Sequence, residues 1–208
     1  MDKLNNQECS SPAFWDSKYQ NNDTGWDIGE ATPIFINWSK SLEFNQKILV
    51  PGAGNGHDAL YLASLNHEVY ALDFSKNAIN NIKNQASEKS IIINTICKDF
   101  FNLHKTYNNY FDVILEYTFF CAIPINKRSD YIKKIYNLLK SNGIFVGILL
   151  PVNKPLSQGG PPYGINIKRT ISDFKKYFNI LEINKSPISI PPRKDNEVFI
   201  VLSKKQCL

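Results

Sequence analysis

The stretch VPGAGNGHD, Val50 to Asp58, places Gly52, Gly54 and Gly56 at alternate positions directly after the apolar run Lys47 to Pro51. Alternate glycines let a ligand approach bare backbone at the end of a buried strand. The next apolar run, Glu68 to Asp73, ends in an acid where α/β nucleotide sites hydrogen-bond a ribose diol. A dinucleotide turn asks for G-x-G-x-x-G, with its third glycine packing helix on strand. This loop reads G-x-G-x-G, which disfavours NAD and a short oxidoreductase. A tight strand-to-helix turn, with Asp73 as an acid at a helix N-terminus, also fits these residues, so the loop alone leaves both readings open.

Other chemistries have less to stand on. Cys9, Cys97, Cys121 and Cys207 are too dispersed for a C-x-x-C metal pattern or a dense disulfide framework, and His57, His67 and His104 lack ligand spacing. No metal is expected. Cys121, inside FFCAI, has no visible base to activate it and reads as a small packing residue. Asp112, at a strand start, reads as tying down local backbone.

These residues need elements to position them. Helical spacing over His57 to Ser64, a second strand to Asp73, and Ser75 as N-cap for Lys76 to Ala86 give strand, helix, strand, helix. Strands are expected over Ile91 to Cys97 and Phe111 to Glu116. A helix over Lys127 to Lys140 should stop at Ser141-Asn142-Gly143 before a strand over Ile144 to Leu150. The tail predicts a helix near Ser172 to Phe178, a strand near Ile180 to Ser186, a turn at Ile190 to Arg193 and a strand from Glu197 to Ser203. This alternation predicts a doubly wound α/β fold: a mostly parallel seven-stranded sheet, helices on both faces, and an antiparallel C-terminal strand pair. Residues 1–208 read as one domain, with 1–40 an N-terminal lid and helices.

Composition agrees. The 208 residues are 43% hydrophobic and 21% charged, enough apolar material for a packed core. The net charge of +5 is scattered rather than clustered, which argues against nucleic-acid binding. The longest apolar stretch, around Ile144 to Val152, is too short to span a bilayer, and the polar N-terminus lacks a secretory pattern. A cytoplasmic monomer is expected.

Taken in order, VPGAGNGHD, ALDFS, EYTFFCAI, GGPPY and PPRKDNE, with FWDSKYQNNDTGWDIGEATP before them, resemble the thiopurine S-methyltransferase family. The likeness is strongest to its thiol and halide methyltransferase branch and runs from about Trp15 to Lys204. The resemblance implies a class I, Rossmann-like methyltransferase using S-adenosylmethionine. It implies that Trp15, Tyr19 and Trp26 belong to an aromatic lid over the cofactor, that Gly52 and Gly54 form its loop, and that Asp73 holds its ribose. Asp99 and Phe100 match the pair beside the adenine, and Tyr117 matches a position between the methionine portion and the acceptor pocket. Phe119, Phe120 and Tyr163 are expected to wall that pocket, with Arg193 adding positive potential. Tyr163, Arg193 and Tyr117 are the expected catalytic set. Replacing Tyr163 or Arg193 should then lower turnover and leave cofactor affinity nearly intact. The acceptor expected is a small thiol, hydrosulfide or halide, with a heterocyclic thiol as the alternative; a non-catalytic module that only binds the cofactor is a further one. Three positions depart from the family pattern: Ala53 stands where many relatives carry cysteine, Tyr19 where plant relatives have tryptophan, and Glu116 where aspartate usually precedes the aromatic. The last leaves its contact with the cofactor's amino group in doubt.

Overall fold

A computed structural model describes residues 11–185 and 187–206. Cys9, Cys207 and Ser186, the end of one expected strand, lie outside the described residues. Two helices, α1 (Pro12–Gln20) and α2 (Pro33–Ser39), precede β1 (Lys47–Pro51). There follow α3 (His57–Ser64), β2 (Glu68–Asp73), α4 (Lys76–Glu88), β3 (Asn94–Cys97), β4 (Phe111–Tyr117), α5 (Arg128–Leu138) and β5 (Leu139–Leu149). The chain closes with α6 (Ile167–Phe174), β6 (Phe178–Asn184) and β7 (Val198–Lys204).

The strands form one sheet in the order β3-β2-β1-β4-β5-β7-β6. The first five are parallel; β7 runs antiparallel to both β5 and β6. Ile48, Leu49, Ile114 and Leu115 are fully buried, as central parallel strands covered on both faces must be. Ser75 caps α4, its hydroxyl accepting from the Ala78 amide at 3.2 Å, and Ala78, Ile79, Ile82 and Ala86 bury one face.

Several boundaries differ from the sequence reading. Ile91 lies in the turn that caps α4 rather than in β3: Ser90 turns left-handed (φ 53°), the Ile91 amide reaches back to the Ala86 carbonyl at 2.8 Å, and Ile92 is left exposed. Ser141 to Gly143 do not stop α5. The chain is already extended at Leu139, which pairs with Phe111, and pairing resumes at Val113 with Ile144, so residues 140–143 form an irregularity inside β5. Asp112 sits at that irregularity, accepting from the Lys47 amide at 2.9 Å and from Lys140 Nζ at 2.7 Å, which matches its expected structural role. The helix α6 starts five residues earlier than expected because Asn166 caps it, accepting from the Arg169 amide at 3.0 Å. Phe178 instead opens β6, pairing with Lys204.

Candidate active site

A cavity of about 770 Å³ opens over the carboxyl ends of the parallel strands. Each of the five supplies wall residues at or just beyond its end: Gly52 after β1, Asp73 on β2, Lys98 and Asp99 after β3, Thr118 and Phe119 after β4, and Leu150 and Pro151 after β5. The N-terminal segment closes one side with Phe14, Trp15, Tyr19 and Trp26, and the β6–β7 connection adds Arg193 and Asn196.

The glycine loop is built as its spacing suggests. Gly54 has φ +55° and donates its amide to Asp73 Oδ2 at 3.0 Å, while Ser75 donates to Asp73 Oδ1 at 2.9 Å. Asp73 is thus aimed by backbone, and burial pushes its carboxyl up to about 6. Asp99 holds the start of the next turn, accepting from the Phe101 amide at 2.9 Å, beside the buried Phe100. Trp26 packs edge-on against Trp15 and Tyr19.

Two acids that sequence reasoning missed dock this aromatic segment. Asp16 accepts from Ser75 Oγ at 2.5 Å and from Asn77 Nδ2 at 3.3 Å at the start of α4. Asp27 lies 3.0 Å from His57 Nε2 and accepts from Asn55 in the glycine loop; these partners hold its carboxyl well below the usual range, and Asp27 in turn raises His57. Arg193 makes a third tie, donating through Nη2 to the Trp26 carbonyl.

The structure brings Trp15, Tyr19, Trp26, Gly52, Asp73, Asp99, Phe100, Phe119 and Arg193 to one cavity, but not Gly54, Tyr117, Phe120 or Tyr163; Gly54 sits behind the wall, its amide on Asp73. Tyr117 lies behind Arg193: its ring is 4.7 Å from the guanidinium and its hydroxyl donates to Glu197 Oε1 at 2.6 Å. Phe120 points into the core against Tyr131 and Phe174. Tyr163 is buried, its amide donating to the Cys121 carbonyl at 2.7 Å, while Pro161 and Pro162 take the wall position expected of it. Cys121, Ala122, Ile123 and Leu150 complete an apolar side. The Cys121 thiol donates to the Thr118 carbonyl at 3.1 Å, and burial pushes it up to about 12, so it stays a neutral packing group. Arg193 Nη1 is buried and has no hydrogen-bond partner among the described residues.

Burial also sets a pH response. Asp58, which accepts from the Thr32 amide and hydroxyl, is pushed to about 6, as is Asp73, and Glu116 to about 7. Each binds a proton more readily folded than unfolded, so its contribution falls as pH rises through that range. His57, raised by Asp27, acts in the same direction; His67, lowered by burial, opposes it. The melting temperature of the ligand-free chain is expected to drop by several degrees between about pH 5 and pH 8. Scanning fluorimetry checks this; a rise across that window would contradict it.

Sheet order, glycine loop and acid-tipped second strand together define an S-adenosylmethionine-dependent methyltransferase of class I. The chain belongs to the thiopurine S-methyltransferase family, whose model matches residues 10–206. It is 32% identical over 192 residues to thiocyanate methyltransferase 1 of Arabidopsis thaliana, covering 88% of this chain and 81% of that one. Thiopurine S-methyltransferase of Shewanella woodyi is 25% identical over 190 residues, covering 81% and 84%. A Burkholderia thailandensis 1,6-didemethyltoxoflavin N1-methyltransferase, solved with S-adenosylhomocysteine bound, shares the fold at a TM-score of 0.77 and 17% identity, over 94% of this chain and 87% of that one.

Proposed function

We propose that this chain methylates a small soft nucleophile, a thiol, hydrosulfide, thiocyanate or halide ion. S-adenosylmethionine supplies an electrophilic methyl group on a sulfonium sulfur. The residues present suit it: Asp73 would accept from the ribose hydroxyls, Asp99 from the adenine amine, and Phe100 and Phe101 would flank the base. Trp15, Tyr19 and Trp26 would form a lid whose π faces favour a cation, and Gly52 would present the glycine loop at the cavity wall.

The observation that carries the acceptor reading is the other side of the cavity. Its wall of Phe119, Cys121, Ile123, Leu150 and prolines contains no histidine, and the Arg193 side chain borders it. Such a wall strips water from a soft anion, with Arg193 supplying positive potential beside it and no histidine to take a proton. A hydrosulfide or halide needs none. Holding the acceptor in line is worth roughly 7 to 11 kcal/mol, so positioning is the protein's main contribution. Within this reading Arg193 touches the acceptor, Tyr117 sets its guanidinium from behind, and Tyr163 braces the wall through Cys121. A cytoplasmic monomer completes this reading, in which Cys97 and Cys121 are free thiols.

The test is a headspace assay with S-adenosylmethionine and separate feeds of sulfide, methanethiol, thiocyanate and iodide, beside a nonvolatile aromatic thiol. Volatile methylated product from one or more of the small anions is expected. Methylation of the aromatic thiol alone, or of nothing, would overturn the acceptor class.

A further inference from the structure

Glu116 is fully buried on β4, and its side chain stays off the cavity wall. One oxygen, Oε1, accepts the amides of both Phe119, at 2.9 Å, and Phe120, at 2.7 Å. Between them and the strand, Thr118 has φ +65°, a conformation unfavourable for a β-branched residue that persists only where surroundings impose it. The clamped turn sends consecutive side chains apart. Phe119 goes into the cavity against Gly52, Phe120 goes into the core, and Cys121 returns to the wall. Oε2 is buried without a hydrogen-bond partner among the described residues.

We propose that Glu116 is a positioning residue: its Oε1 holds the 118–121 turn so that Phe119 and Cys121 shape the acceptor wall, and it does not touch the cofactor. The inference rests on the acceptor reading above. The hydrogen bonds, not the negative charge, do the holding, since an amide oxygen accepts two N–H groups as a carboxylate does. Glu116→Gln should therefore rescue what Glu116→Ala loses.

The full chain and both variants are compared by three measurements: the KM of whichever acceptor the wild type methylates, calorimetric affinity for S-adenosylhomocysteine, and exchange of the Phe119 and Phe120 amide protons by NMR. In Glu116→Ala, acceptor KM is expected to rise about tenfold or more while S-adenosylhomocysteine affinity stays within about threefold. The two amides should exchange at least about tenfold faster in that variant, with Glu116→Gln near wild type throughout. Cofactor affinity falling in step with acceptor KM, or unchanged amide exchange in Glu116→Ala, would overturn the proposal. If the alanine variant does not fold, Glu116→Gln decides alone: retained amide protection and cofactor affinity support the proposal, and loss of either contradicts it. A wild type that methylates no small nucleophile would sink the acceptor reading, while amide exchange and cofactor affinity still judge Glu116.

Discussion

Gly52→Ala is expected to cut affinity for S-adenosylhomocysteine by at least about tenfold and to lower the melting temperature by several degrees. Two effects add. Gly52 has φ +61°, where a side chain costs roughly 1–2 kcal/mol. A β-carbon there would also stand 2.5 Å from Phe119 Cδ2 and 2.8 Å from Phe119 Cβ, so relief requires moving the Phe119 backbone and not merely its ring tip. Overpacking of that kind costs about 1–3 kcal/mol. Since Phe119 is held by Glu116, the displacement falls on the glycine loop itself. Calorimetry and scanning fluorimetry read the two losses; wild-type affinity in the variant would mean that the loop does not carry the cofactor.

Arg193→Lys should lower acceptor kcat/KM by about 10²- to 10³-fold, the usual loss for one oriented donor at a reacting anion. A lysine ammonium cannot lie flat on Tyr117, donate to the Trp26 carbonyl and still present a second fixed nitrogen. The tie to Trp26 changes one expectation drawn from the sequence, where cofactor affinity was to stay nearly intact. Losing a hydrogen bond from a charged donor to the aromatic segment should weaken S-adenosylhomocysteine by up to about tenfold. Turnover must still suffer more than binding. Equal losses would place Arg193 in the cofactor half alone.

The legible parts of this chain are those fixed by short-range backbone chemistry. A β-rich run meeting alternate glycines, an acid ending the next run, and a serine cap three residues before its bonded amide all lie between Lys47 and Ala78. Asp73 is legible from that spacing, whereas Asp99 and Phe100 come from the family resemblance; the cavity holds all three. The boundaries that moved depend on distant partners. Leu139 is extended because Phe111 lies beside it, and Phe178 opens a strand because Lys204 does. Facing at 117–121 was equally hidden, since the left-handed Thr118 breaks the alternation of β4 and puts only Phe119 of the neighbouring rings into the cavity. Asp16 and Asp27 carry no local signal at all: their partners lie 59 and 28 positions away and meet them only in the folded chain.

The account depends on the aromatic N-terminal segment and the strand tips enclosing one S-adenosyl group. Titrating the purified chain with S-adenosylhomocysteine in a calorimeter tests that most directly. A saturable heat with one site per chain is predicted; a flat titration at protein concentrations where the chain is folded would contradict it.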